Sequence, residues 1–178
     1  MFNNRKYIWY TDLHLNNANF LQRYFFTKNM KVENPTGIII SGDISTGPKV
    51  IKDLTYISDN SPCPIYFVLG NHDYWGSSFE DKHKQISTLC YRRNNLFWLT
   101  EQKPIRLTEQ SCIIGTEGWY DCYYGELELT RLTLDWVKIK DFKNLSNHKS
   151  RVEHFKKLAQ KSAEIIEDKL VSALDSYK

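Results

Sequence analysis

Three short apolar runs, "KYIWY" (6–10), "GIIIS" (37–41) and "PIYFVLG" (64–70), alternate with segments of helical periodicity. Between them, "NANFLQRYFFTKNM" (17–30) carries apolar residues at helical spacing with Asn16 or Asn17 as its N-cap, and "KVIKDLTYIS" (49–58) forms a shorter helix. A further helix is expected over 78–95. Continuous apolar runs of this length belong to strands buried on both faces, which means parallel strands joined by right-handed crossovers. The fold class is therefore α/β.

The texture changes after residue 96. "LFWL", "PIRLT" and "SCIIGTEGW" are closely spaced strand candidates with no helix between them, expected to form hairpins or a meander. "LTRLTLDWVKIKDF" (129–142) is a helix candidate, and residues 149–177 form one long amphipathic helix with a break expected near Gln160. No linker, repeat or low-complexity tract marks a boundary, so residues 1–178 are expected to form a single domain.

Composition narrows the classes of function. The net charge of +3 comes from 24 basic and 21 acidic residues that are interleaved, so nucleic acid is not indicated. No run approaches the roughly 18 apolar residues of a membrane span, and no membrane partner is expected. Cys63, Cys90, Cys112 and Cys122 show no CxxC or zinc-ligand spacing, which favours thiols in a reducing compartment. The expected location is the cytoplasm.

Each of the three runs ends in polar residues that are poor packing material. The first leads to Asp12 and His14, the second to Asp43, the third to Asn71, His72 and Asp73. In a parallel sheet the carboxyl ends of the strands share one edge, where ligands bind. Carboxylate, imidazole and amide oxygen gathered there suit a divalent ion such as Mn, Fe or Zn. Gly42 and Gly70 directly precede polar residues, where the lack of a side chain permits a tight turn and close approach. Taken singly, Asp12 and Asp43 would read as turn or cap residues and Asn71 as a turn residue. Their repetition at successive strand ends favours a site.

The order strand-D-L-H, strand-G-D, strand-G-N-H-D, at intervals of about 30 residues, resembles the calcineurin-like metallophosphoesterases. "GTEGWYD" (115–121) resembles a later strand and loop of the family's bacterial members. The resemblance implies a β-sandwich flanked by helices and hydrolysis of phosphomono- or phosphodiesters by a dinuclear metal site. It implies Asp12 and His14 as ligands of a first metal, Asp43 as the bridge and Asn71 as a ligand of the second. His72 would act beside the scissile phosphate, with Asp73 orienting its ring. Two ions roughly 3.5–4 Å apart would polarise the phosphoryl oxygens and activate a water.

The family pattern adds three further histidines, two of them in a G-H-x-H motif that this sequence does not contain. The remaining histidines, His83, His148 and His154, stand at no predicted strand end. The resemblance therefore implies a domain lacking its C-terminal strands, a weakly held first metal, a nearly empty second position and slow hydrolysis. A partner chain or oligomer that supplies the missing ligands fits the same pattern. The competing reading is an inactive remnant, or a module that binds phosphate or a nucleotide. Trp75 and Trp119 are candidates to line a substrate cleft.

Overall fold

The computed structural model describes residues 5–124 and 132–176. They fall into two compact units, residues 1–98 and 99–178.

The first unit holds β1 (Tyr7–Tyr10), α1 (Phe20–Val32), β2 (Gly37–Ser41), α2 (Lys49–Asn60), β3 (Ile65–Val68), α3 (Asn71–Tyr74), α4 (Phe79–Tyr91) and β4 (Leu96–Trp98). The four strands form one parallel sheet in chain order, with Ile8 opposite Ile38, Ile38 opposite Ile65 and Ile65 opposite Leu96. Strands added in chain order through right-handed crossovers place their helices on the same side. Accordingly α1 touches α2, and α2 touches α4. On one face Ile38, Ile40, Ile65, Phe67, Leu96 and Trp98 are buried. On the other, Trp9 is 70% exposed and Ile39, Val68 and Phe97 are only half-buried, so the two faces are not covered equally as expected.

"LFWL" also departs from its expected meander. A helix precedes it, and it enters the parallel sheet as β4. Helix α4 stops at Tyr91 rather than 95 because Asn95 is drawn onto α2. The Ser58 hydroxyl donates to its Oδ1 at 2.6 Å, its Nδ2 donates to the Ser58 carbonyl at 3.0 Å, and its own carbonyl accepts from Ile65 N at 2.8 Å. The N-cap of α1 is Asn19, not Asn16 or Asn17. Leu15–Asn17 form a separate 3₁₀ turn, and Asn19 and Gln22 exchange side-chain bonds with each other's amides.

The second unit contains the antiparallel pair β5 (Ile105–Arg106) and β6 (Cys112–Ile113), then α5 (Asp135–Lys138), α6 (Lys140–Lys143) and α7 (His148–Ser176). The strand expected over "SCIIGTEGW" is limited to two residues, and 115–121 are irregular. Of the helix expected over 129–142, residues 129–131 lie outside the described ones. The rest divides where Ile139 turns extended, leaving Trp136, Ile139 and Phe142 buried. Phe155 of α7 packs against Trp136, Phe142 and Tyr120 at ring separations of 4.6, 4.6 and 4.3 Å.

Helix α7 runs unbroken past Gln160, whose side chain bonds Glu164 one turn on at 2.9 Å. Lys169 on the same helix donates to the carbonyls of Leu99, Thr100 and Gly115 at 2.5, 2.9 and 2.8 Å, satisfying three carbonyls from two irregular segments with one ammonium. Among the described residues no cysteine forms a disulfide, and no helix is long and apolar enough to cross a membrane.

Candidate metal centre

The loops that leave β1, β2 and β3 meet at the carboxyl edge of the parallel sheet, and they are bonded to one another before any ligand is considered. Asp12 N donates to the Gly42 carbonyl (3.2 Å), His14 N to that of Asp43 (2.9 Å) and Leu15 N to that of Ile44 (3.0 Å). This continues the β1–β2 pairing beyond the strands. The third loop is joined to the second by Gly47 N on the His72 carbonyl at 3.1 Å and by His72 N on Asp43 Oδ1 at 3.1 Å.

Two glycines let these loops close. A β-carbon on Gly70 would stand 2.1 Å from Asp43 Oδ1 and 2.5 Å from its amide, and one on Gly42, at φ 102°, would stand 2.9 Å from Gly70 N. The expected close approach is therefore between loop and loop. Asp12, His14 and Asp43 take left-handed backbone conformations, with φ of 52°, 40° and 50°. Asp and His tolerate that region better than most residues, but each costs about 1–3 kcal/mol that the surrounding bonds must offset.

The result is one convergent group of donors. His14, Asp43 and His72 each place a ligand atom within 4.8 Å of the other two, and all three are half-buried. His14 Nε2 lies 3.7 Å from Asp43 Oδ2. The His14 and His72 rings meet edge to face at 4.9 Å, and His72 stacks on Trp75 at 3.8 Å with 26° between planes. Two imidazoles and a carboxylate form a donor set suited to a divalent ion of borderline hardness. Beside His14 opens a depression of about 350 Å3, with Leu13, Gln22 and Phe26 among its walls.

The other predicted residues are placed differently. The Asp12 side chain is exposed and its Oδ2 accepts from Thr11 Oγ1 at 2.5 Å, and it does not join the group. Asn71 opens α3 beside His72. The Asp73 carboxylate is fully buried and is occupied by backbone amides: Gly70 (2.9 Å) and Ile44 (3.3 Å) on Oδ2, Ser45 (2.9 Å) on Oδ1. It braces the second loop against the third and thereby sets the His72 backbone. Burial pushes its carboxyl up to about 7, against the downward pull of those three amides.

Among the other histidines, His83 Nε2 lies 2.9 Å from the Tyr74 hydroxyl, while the rings of His148 and His154 pack on Trp136 and Phe142.

A buried ionic layer supports the loops, and sequence reasoning missed it. Asp53 on α2, 2% exposed, pairs with Arg23 and accepts from Ser45 Oγ at 2.6 Å; Arg23 also donates to the Leu15 carbonyl at 2.8 Å. Lys82, 1% exposed, donates to the Gly47 carbonyl at 2.7 Å. The signal was present: Asp53 shares the apolar face of α2 with Val50, Leu54 and Ile57, and Lys82 shares that of α4 with Ile86 and Leu89. Asp53→Ala leaves the Arg23 cation with its ion-pair partner gone, and is expected to destabilise the fold by about 3–5 kcal/mol in urea denaturation.

A family model described as calcineurin-like phosphoesterase matches residues 6–172. No curated protein matches the chain significantly. Among solved structures it resembles a crystal structure of a phosphopantetheinyl hydrolase from Mycobacterium tuberculosis, with a TM-score of 0.57 and 11% identity over 90% of this chain and 63% of that one. At that identity the likeness is one of fold, and the chain spans about 63% of that protein's length.

Proposed function

The chain belongs to the calcineurin-like phosphoesterase family, and on that footing we propose that it is a divalent-metal-dependent hydrolase of phosphomono- or phosphodiesters. The observation that carries this reading is the convergence of His14, Asp43 and His72 from three different loops within 4.8 Å. Three left-handed residues in those loops, Asp12, His14 and Asp43, are what strain retained for function would look like.

In this reading His14, Asp43 and His72 hold the cation, which when bound supplies positive charge for the phosphoryl oxygens and acidifies a water. Asp12, on the loop of His14, is the candidate further ligand of this first cation, and Asn71, beside His72, the candidate ligand of a second. For His72 a second role excludes the first: where His14 and Asp43 hold the cation without it, His72 has the chemistry to deliver a proton to the leaving oxygen, with its ring plane fixed by the Trp75 stack. Trp75 and Asp73 are positioning residues, the one through the ring and the other through the backbone. The match from 6 to 172 spans both compact units, which supports reading the whole chain as one family domain. The cysteine pattern supports a reducing, cytoplasmic setting.

A second reading, a phosphate- or nucleotide-binding module without hydrolysis, is favoured by one observation. Among the described residues a single group of three donors is found, enough for one cation rather than two. Hydrolysis of p-nitrophenyl phosphate and its bis-ester in Mn2+ separates the two. Turnover that chelation removes and Mn2+ restores supports the hydrolase. Saturable phosphate binding with no turnover supports the module.

A further inference from the structure

Helix α1 closes one side of the sheet with its inner residues, and its outer face is unusual for a surface in water. Phe20 is 80% exposed, Leu21 61%, Tyr24 48%, Phe25 53% and Val32 72%. Successive helical residues turn by about 100°, so these five fall within an arc of about 140° along three turns. Single exposed apolar residues are ordinary, but a continuous stripe of this size marks an interaction surface. The sequence of α1, "FLQRYFFTKNMKV", contains no acidic residue. The exposed Lys28 and Lys31 lie on the same arc; Lys31 reaches only the neutral Asn60 side chain, at 3.5 Å, so its charge is not compensated there.

We infer that this face of α1 seats on an anionic lipid surface, with the aromatic and aliphatic side chains in the headgroup region and the two lysines against lipid phosphates. The charge pattern selects that occupant over a second copy of the chain. A twofold pairing would bring lysine-bearing arcs together with no carboxylate in the helix to meet them. Lysines set among aromatics instead match the interfacial arrangement, in which the stems lie along the apolar layer and each ammonium is drawn to the anionic surface. The absence of a spanning helix is no obstacle, because seating needs only one face. The Gln22 and Phe26 positions, which wall the depression beside His14, fall outside that arc on the opposite side of the same helix, so a seated α1 would turn the depression away from the lipid at a remove of about one helix diameter, roughly 10 Å. The inference stands independently of the hydrolase reading.

The test is co-sedimentation with vesicles of phosphatidylcholine alone and of phosphatidylcholine with phosphatidylglycerol at 3:1. Native chain is expected to partition at least tenfold more strongly to the anionic vesicles. The double variant F20S/F25S should lose at least tenfold of that binding while keeping the native circular dichroism and melting temperature, since both side chains are on the surface. K28E/K31E should lose it as well, which keeps the test decisive if the first variant folds poorly. Folded native chain that stays in the supernatant with both vesicles overturns the inference. So does loss with K28E/K31E alone while folded F20S/F25S binds normally, which would mean adhesion by charge without seating. A dimer in analytical ultracentrifugation that F20S/F25S dissociates, with no vesicle binding, assigns the face to a second copy and likewise overturns it.

Discussion

Asp43→Ala is expected to abolish Mn2+-dependent phosphoester hydrolysis. It should weaken Mn2+ binding by more than the roughly 10–100-fold that loss of an outer hydrogen-bond partner of a ligand costs. Asp43 is the one carboxylate in the convergent group, so its removal leaves two neutral imidazoles to hold a cation in competition with water. The same side chain accepts the His72 amide, so alanine also loosens the third loop. Asp43→Asn separates the two effects. The amide keeps the shape, tolerates the left-handed backbone at φ 50° and still accepts from His72, but it brings no charge. A melting temperature close to native with metal binding lost is the expected outcome for Asn. Retention of full Mn2+ affinity in Asp43→Asn would remove Asp43 from the centre.

Gly70→Ala is expected to be among the most damaging single methyls in the first unit, beside Gly47→Ala, whose β-carbon would stand 2.0 Å from the Trp75 carbonyl oxygen. The β-carbon at Gly70 would lie 2.1 Å from the Asp43 carboxylate oxygen, which could rotate away, and 2.5 Å from the Asp43 amide, which as backbone cannot. The second and third loops must then separate, breaking the His72-to-Asp43 bond and straining the amides that Asp73 receives. Overpacking usually costs 1–3 kcal/mol; against fixed backbone the expected loss is about 3 kcal/mol or more, a fall of about 6–12 °C in melting temperature for a chain of this size. Mn2+ affinity should fall with it. Gly118→Ala is the matched control, since nothing lies within 4 Å of its β-carbon and a near-native melting temperature is expected. Equal effects at Gly70 and Gly118 would contradict the loop-closure account.

The sequence was most legible where one residue's environment is set by its immediate neighbours. "GIIIS" appears as β2 with the bounds its apolar run suggested, and the Asp43 and His72 clusters fall at the strand ends that the pattern marked. Residues whose partners are distant were harder to read. Asn95 leaves α4 because Ser58, 37 positions away, holds its side chain. "LFWL" joins the parallel sheet because Leu96 finds Ile65, a pairing invisible to local spacing. Asp73 looked like the orienting partner of an adjacent imidazole, yet its oxygens are claimed by three amides, two of them from the loop after β2. The buried Asp53 and Lys82 were readable as charges on apolar helix faces, but only three-dimensional contact reveals that both brace the site loops.

His14, Asp43 and His72 are proposed to form a divalent-cation site. Calorimetric titration of Mn2+ into chelator-treated native chain and Asp43→Asn at pH 7 tests it most directly. Saturable binding of about one ion per native chain, lost in the variant, is the predicted result. A native chain that binds no ion, or a variant that binds as the native chain does, would contradict it.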